Sequence, residues 1–201
     1  MKRAEEQEWQ GRMLDEQRQL WIDTLSHARH DWLNDLQMIM GYVQLRKYDK
    51  LAACVDMLKQ RMADESRTSK LGSPGLVEAL LTVRVRSRRF AFRLRIDETF
   101  QLRPGASEAA ELAVRRLLDG FEEAAEKGEA GSENALECEL AGEHTDSAIV
   151  FTYQGAYSAP ALRKSVGELR KLLRYAAPAY ALTDAYYDEG AKVEIRLPGA
   201  L

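Results

Sequence analysis

The sequence predicts an α+β chain in which a helical hairpin precedes a C-terminal α/β domain with one helix-covered sheet. The first seventy residues are rich in helix formers and contain no proline. The cluster Gly72-Ser73-Pro74-Gly75 then interrupts the helical pattern. Beyond it, segments with the two-residue period of strands alternate with helical segments. We therefore expect a hairpin domain at residues 1–71 and an α+β domain at residues 72–201.

The first helix carries an apolar stripe whose members recur at steps of three or four, the period of one helical face. A second stripe follows after a short turn, and short turns join antiparallel helices. One hairpin alone buries two such stripes poorly, so we expect a homodimer that forms a four-helix bundle around a two-fold axis. Residues 1–19 precede the hairpin, and the sequence assigns them no role. The first stripe comprises Leu25, Ala28, Trp32, Leu36, Ile39 and Val43, and the second comprises Leu51, Val55, Leu58 and Met62.

The C-terminal part alternates between the two periodicities. Phe90 to Ile96 shows the apolar–polar alternation of a strand. Arg103-Pro104-Gly105 reads as a loop, and the last two strands should form a hairpin across Glu189-Gly190. We expect helices at 76–87, 107–127 and 160–177, and strands at 90–96, 134–141, 148–153, 179–188 and 191–197.

Composition excludes several classes of function. The formal net charge of -3 gives no indication of a nucleic-acid partner. The N-terminus is charged rather than signal-like, and no segment approaches the roughly 20 apolar residues of a spanning helix, so we expect a cytoplasmic protein with no membrane insertion. Cys54 and Cys138 form no metal or redox motif; reduced thiols fit best, although a disulfide stays open.

His30 is the candidate for chemistry, because the helical projection points it away from the apolar stripe. At 100° per residue, His30 lies about 160° from the centre of the stripe, with Asn34 and Gln37 on its own side. A neutral imidazole is a nucleophile at cellular pH and can carry a covalent phosphoryl group. Two roles are open to Asp31, which follows directly: it orients the imidazole or accepts its proton.

Other interpretations of these residues compete with this one. Taken alone, a surface histidine on a helix is more often a solvated side chain than a reactive one. His27 and His30 stand three residues apart, but no third metal ligand lies nearby in the sequence, so we expect no metal site. Asn34 and Gln37 would by default belong to a solvated helix face.

The run His30-Asp31-Trp32-x-Asn34-x-Leu36-Gln37 resembles the histidine box of the sporulation initiation phosphotransferase B family. The resemblance extends over most of the chain, as a helical hairpin and then a degenerate domain of the histidine-kinase ATPase type. It implies a phosphorelay phosphotransferase that takes a phosphoryl group from the aspartate of one response regulator and gives it to another, in the initiation of sporulation. By this resemblance His30 is the phosphoacceptor, and Leu33, Asn34 and Gln37 are candidates for the surface that docks the receiver domains.

The sequence also argues against ATP as the phosphodonor. Kinases of that superfamily carry an asparagine that holds magnesium, an Asp-x-Gly loop that reads adenine, and glycine-rich segments over the phosphates. Here the helix at 117–125 has no asparagine, Tyr153-Gln154-Gly155 replaces the Asp-x-Gly loop, and no GxGxxG follows. We expect no cofactor bound by the chain and Mg²⁺ supplied by the partner regulator, although Glu122 and Glu123 remain conceivable metal ligands.

Three alternatives stay open beside the relay. One is a sensor-type histidine kinase with weak use of ATP, and another is a non-catalytic protein that binds response regulators. The third is a purely structural dimer, in which the exposed histidine box is accidental. The identity of the two regulators, the direction of phosphoryl flux and the reacting imidazole nitrogen are not encoded in any pattern described above.

Overall fold

The computed structural model describes residues 2–102, 105–126, 134–142, 147–177 and 179–197. It divides into two compact units, residues 1–60 and 61–201, and the division falls inside the second helix. The predicted boundary after residue 71 lies further along the chain, beyond the end of that helix. The elements are α1 (Lys2–Gln44), α2 (Tyr48–Thr68), α3 (Pro74–Arg86), β1 (Ala91–Ile96), α4 (Ser107–Ala124), β2 (Ala135–Ala141), β3 (Ala148–Gln154), α5 (Ala159–Ala176), β4 (Ala181–Tyr187) and β5 (Gly190–Arg196).

Helix α1 is continuous over 43 residues, a length of about 65 Å. The N-terminal residues that the sequence left without a role are therefore, from Lys2 onward, part of this helix. Much of the apolar stripe is exposed in the single chain: Leu25, Trp32 and Leu36 expose 65%, 57% and 56% of their surface. Apolar surface of this extent on one line of a helix is not covered by the chain itself.

A different line of α1 is partly buried within the first unit. Its members recur at helical spacing next to the turn, and the facing residues of α2 are partly or fully buried as well. Cys54 is the most buried of them, with 5% of its surface exposed. The shielded residues of the two helices therefore form lines adjacent to the exposed stripe rather than the stripe as a whole. The α1 line contains Asp31, Asp35, Ile39 and Tyr42, and the α2 line contains Leu51, Cys54, Val55 and Leu58.

The turn between α1 and α2 ends the first helix with a Schellman motif. The N–H of Lys47 donates to the carbonyl of Tyr42 at 2.9 Å, and the N–H of Arg46 donates to the carbonyl of Val43 at 3.0 Å. This pattern requires a left-handed residue, and Arg46 takes that conformation with φ 53°. A side chain there is strained relative to glycine, so the turn is formed at some cost in stability.

The second unit is a two-layer α/β structure around a five-stranded sheet of order β1-β2-β3-β5-β4. The β1–β2 pair is parallel and the other pairs are antiparallel. Alternate residues of the central strands are fully buried, as expected when helices cover one face of a sheet. They include Leu136, Cys138 and Leu140 of β2, Ile149, Phe151 and Tyr153 of β3, and Val193 and Ile195 of β5.

The last turns of α2 are fixed to the end of β1 by a buried carboxylate. Asp64 exposes 6% of its surface and accepts hydrogen bonds from the backbone N–H of Ile96 at 3.3 Å and from Arg67 at 3.1 Å. Arg67 also donates to the carbonyl of Ile96 and to Glu98. Because the buried charge is paired and hydrogen-bonded on several sides, the contact can hold helix and sheet together without an uncompensated charge.

Most predicted elements are confirmed to within a few residues, with one shift in the final hairpin. Its turn lies at Asp188-Glu189, not at Glu189-Gly190, because Gly190 begins β5 and pairs with Tyr187. A side chain at Gly190 would come within 2.6 Å of the Tyr153 carbonyl, which explains the glycine. Arg103-Pro104 of the predicted loop, and the predicted helix end at Lys127, lie outside the described residues.

Within the described residues, none of the helices combines the length and the apolar character that a membrane crossing requires.

The strained turn yields a stability prediction. Replacing Arg46 with glycine should raise the free energy of unfolding by about 0.5–1 kcal/mol, because relief of the left-handed strain exceeds the entropy that glycine adds to the unfolded chain. Urea denaturation followed by circular dichroism measures the change. Lys47→Gly is the matched control and should not stabilise; a lower midpoint for Arg46→Gly than for the native chain would contradict the assignment.

Candidate functional site

His30 lies in the middle of α1 with its imidazole exposed to solvent. The projection of the helix places it about 135° from the centre of the line that faces α2 and about 160° from the centre of the exposed apolar stripe. The surface around His30 is therefore separate from the stripe and from the line toward α2. Leu33, Asn34 and Gln37, the predicted docking residues, are exposed as well, and Leu33 exposes 53% of its surface.

Asn34 is in hydrogen-bonding contact with the His30 ring. Its amide Nδ2 lies 3.2 Å from Nδ1 of His30, one helical turn away. The amide nitrogen donates if Nδ1 carries a lone pair, and the amide oxygen accepts after a flip of the group if Nδ1 carries the proton. In either case Nδ1 is occupied within the helix, and Nε2 is the nitrogen that faces outward.

Asp31 leaves the helix in a different direction from His30. The two side chains are about 100° apart in projection, and Asp31 is half-buried whereas His30 is exposed. Asp31 belongs to the line that faces α2. The ring contact that the structure shows for His30 is therefore made by Asn34, and the orienting or proton-accepting role of Asp31 stays a prediction.

A further polar contact beside His30 is made within α1. Arg29 donates to the Ser26 hydroxyl at 2.9 Å, one turn back along the helix. Across the described parts of the chain, no group of three or more histidine, cysteine, aspartate or glutamate side chains is placed to hold a metal ion. His27 and His30 are both exposed on α1.

In the C-terminal unit, Tyr153 occupies the end of β3 where the kinase pattern would require an aspartate. It exposes 1% of its surface and stacks on Phe121 at 5.7 Å between ring centroids, with Phe90 edge-on at 6.2 Å. Its hydroxyl donates to the carbonyl of Ala156 at 3.0 Å. Burial, with the nearby charges of Glu122 and Glu126, raises the pKa of Tyr153 to about 12.

This environment makes Tyr153 a core residue. Aromatic rings pack against it on two sides, and its one polar atom is satisfied by the backbone. A carboxylate in the same place would be desolvated among these rings, which costs several kcal/mol. The position is therefore shaped for an aromatic side chain.

Glu122 of α4 is also engaged in structural contacts. Its carboxylate accepts hydrogen bonds from the Ser87 hydroxyl and, at 3.5 Å, from the backbone N–H of Arg88. These bonds tie the α3–β1 connection to α4. Glu123, the other conceivable metal ligand, is exposed.

A family model and a curated relative both place this chain in the same family. A family model described as the sensor kinase SpoOB-type alpha-helical domain matches residues 12–71. The sporulation initiation phosphotransferase B of Bacillus subtilis (strain 168) is 30% identical over 142 residues, which cover 69% of this chain and 72% of that protein.

Solved structures with a similar architecture include histidine kinases and a phosphotransferase. The catalytic domain of histidine kinase ThkA is 15% identical, with a TM-score of 0.44, covering 62% of this chain and 92% of its own. The histidine kinase domain of the Erythrobacter litoralis EL346 blue-light activated kinase is 13% identical, with a TM-score of 0.42, covering 81% and 84%. A bacterial phosphotransferase is 15% identical, with a TM-score of 0.42, covering 88% and 95%.

The contact between Asn34 and His30 was not predicted from the sequence, which indicated only a docking role for Asn34. The spacing of the two residues could have indicated the contact, because side chains four residues apart on a helix are neighbours. Burial of Asp31 was harder to foresee, since the apolar stripe alone does not show which of its flanks faces α2.

The Asn34 contact predicts a bias between the two neutral tautomers of His30. A neutral hydrogen bond contributes about 0.5–1.5 kcal/mol, so Asn34→Ala should change the tautomer ratio by roughly 2- to 10-fold. Nitrogen-15 NMR of the imidazoles measures that ratio, with His27 as an internal control that should not change. An unaltered His30 ratio in Asn34→Ala would show that the contact does not hold the ring in solution.

Proposed function

Because this chain belongs to the sporulation initiation phosphotransferase B family, we propose that it is a phosphorelay phosphotransferase and that His30 is its phosphoacceptor. The observation that carries the proposal is the exposed imidazole on a rigid helix, with Nδ1 held by Asn34 and Nε2 facing outward. A partner protein can reach that nitrogen without any rearrangement of α1. The relay would operate in the cytoplasm, during the initiation of sporulation.

The proposed chemistry consists of two displacements at phosphorus, one that loads His30 from a receiver and one that unloads it to a second receiver. The lone pair of Nε2 attacks the phosphorus of a receiver's aspartyl phosphate; a P–N bond forms, the acyl P–O bond breaks, and the aspartate leaves as a carboxylate. The ring proton stays on Nδ1, and the Asn34 amide, flipped so that its oxygen faces the ring, accepts a hydrogen bond from that N–H. A second receiver's aspartate then attacks the phosphorus, and the neutral imidazole leaves.

Partner receivers would supply the remaining parts of the site. Phosphoryl transfer depends on positioning and on neutralising charge on the transferred group. In this proposal the receiver brings the aspartate and Mg²⁺, whereas the chain brings His30 and its docking surface at Leu33, Asn34 and Gln37. The chain itself contributes no cofactor.

We propose that ATP is not the phosphodonor. The buried aromatic packing of Tyr153 supports this, since the position suited to reading adenine is occupied by a core side chain. The Glu122 carboxylate, one of the two conceivable metal ligands, is already hydrogen-bonded to the α3–β1 connection. A sensor-type kinase with weak ATP use remains the alternative that the experiment below separates from the relay.

We also propose that two copies associate through the exposed stripe of α1. Leu25, Trp32, Leu36 and Val43 form one line and expose between 48% and 65% of their surface. Burial of such a line against a symmetry-related copy yields the four-helix bundle expected for antiparallel hairpins. His30 would then face away from the bundle, since it lies about 160° from the stripe.

Transfer of a labelled phosphoryl group tests the function. Each response regulator receiver domain of the source organism is phosphorylated with labelled acetyl phosphate, freed of the donor, and mixed with the full chain and Mg²⁺. Label should reach the native chain and His27→Ala, resist alkali and be lost in acid, as expected for phosphohistidine. His30→Ala should remain unlabelled, because the nucleophile is missing.

The same experiment separates the alternatives. Labelling from ATP and Mg²⁺ alone would identify a kinase and refute the interpretation of Tyr153. Receiver binding without labelling by either route would identify a non-catalytic regulator-binding protein. Labelling of His30→Ala at the native rate would show that another residue is the acceptor.

A further inference from the structure

Gly41 lies inside α1, where the chain gives no reason for a glycine. Its carbonyl accepts the regular helical bond from the Leu45 N–H at 3.0 Å, and its backbone is not among the positive-φ glycines. A Cβ added there would meet nothing within 4 Å. Glycine in a helix interior is less favourable than alanine, so neither backbone conformation nor packing within the described chain accounts for this residue.

The helix surface around Gly41 forms a shallow hole with an uncharged rim. Its neighbours at three and four residues on either side are Gln37, Met38, Gln44 and Leu45, and all four are exposed. Met38 and Leu45 expose 38% and 64% of their surface. Three of these residues belong to α1, and Leu45 is the first residue after it. A position without a side chain, surrounded by four side chains, is the geometry that accepts a side chain from a packing partner.

This hole opens on the same side of α1 as His30. Gly41 lies about 20° from His30 in projection and about 16 Å along the helix axis. The exposed apolar stripe is on the opposite side, about 180° away. A second copy that covers the stripe would therefore leave the hole free.

We infer that the hole at Gly41 receives an apolar side chain of the receiver domain that exchanges its phosphoryl group with His30. The inference rests on the proposed function, which requires a receiver to cover His30. A standard protein interface covers about 800 Å² on each partner, a patch of roughly 16 Å radius. A receiver centred on His30 thus reaches Gly41, and the missing side chain lets it approach the helix closely.

Two glycine-to-alanine variants of the full chain test the inference. Gly41→Ala fills the hole, and Gly11→Ala is the matched control, since Gly11 is also inside α1 with nothing within 4 Å of an added Cβ. Gly11 lies about 100° from His30 and about 28 Å away along the axis. Both variants should unfold at higher urea concentration than the native chain, because alanine favours helix.

The functional effect should be confined to Gly41→Ala. We expect it to raise the concentration of labelled receiver that gives half-maximal transfer by about 3- to 10-fold, the effect of losing one packed contact near the edge of an interface. The rate at saturating receiver should be unchanged. Labelling of His30 by phosphoramidate, a small donor that needs no docking, should be the same in all three proteins.

Other outcomes overturn the inference. Equal half-maximal concentrations for Gly41→Ala and the native chain would show that no partner uses the hole. A change in sedimentation mass in Gly41→Ala would assign the hole to contact between copies of the chain. If neither phosphoramidate nor any receiver labels the native chain, the proposed function itself fails, and that result is distinct from a defect limited to Gly41→Ala.

Discussion

The continuous helical geometry of α1 is the constraint on which the rest of the structure depends. One helix presents three separate lines: an exposed apolar stripe, a partly buried line toward α2, and the polar surface that carries His30. Each residue turns the helix by about 100°. A single inserted residue would therefore rotate one part of α1 against the other and place residues of one line on another. The backbone hydrogen bonds of α1 therefore fix the position of His30 on the helix surface. Only the imidazole ring needs a separate contact, and Asn34 supplies it.

The core of the C-terminal unit depends on an aromatic side chain at the end of β3. Tyr153 and Phe121 stack in the core, and the Tyr153 hydroxyl is satisfied by the backbone. Such packing stabilises the sheet–helix contact, whereas a functional carboxylate would weaken it. Asp64 and Arg67 secure the end of α2 to β1 through paired charges and backbone hydrogen bonds, so the last turns of α2 belong to the second unit.

Periodicity made the elements and the direction of His30 predictable, because a helix or strand repeats its geometry along the chain. It could not show that Leu25 and Trp32 are exposed in one chain, since a stripe reveals only that a partner is needed. The turn between β4 and β5 lies one residue earlier than predicted. The predicted turn residue Gly190 instead lies in β5, where the backbone of Tyr153, distant in sequence, requires a glycine beside it. The contact between His30 and Asn34 was not predicted, although their spacing of four residues allows it. Burial of Asp31 depends on the packing of two helices, which the pattern of one helix does not show.

Thiol labelling of adjacent positions tests most directly whether the apolar stripe of α1 becomes covered while the surface that carries His30 stays open. Leu36→Cys and Gln37→Cys point about 100° apart, both positions are exposed in the single chain, and the native Cys54 and Cys138 are buried. At concentrations that favour association, Leu36→Cys should react at least about 10-fold more slowly than Gln37→Cys, and dilution should remove the difference. Equal rates at every concentration would contradict the account, because the apolar stripe would then be as open as the surface that carries His30.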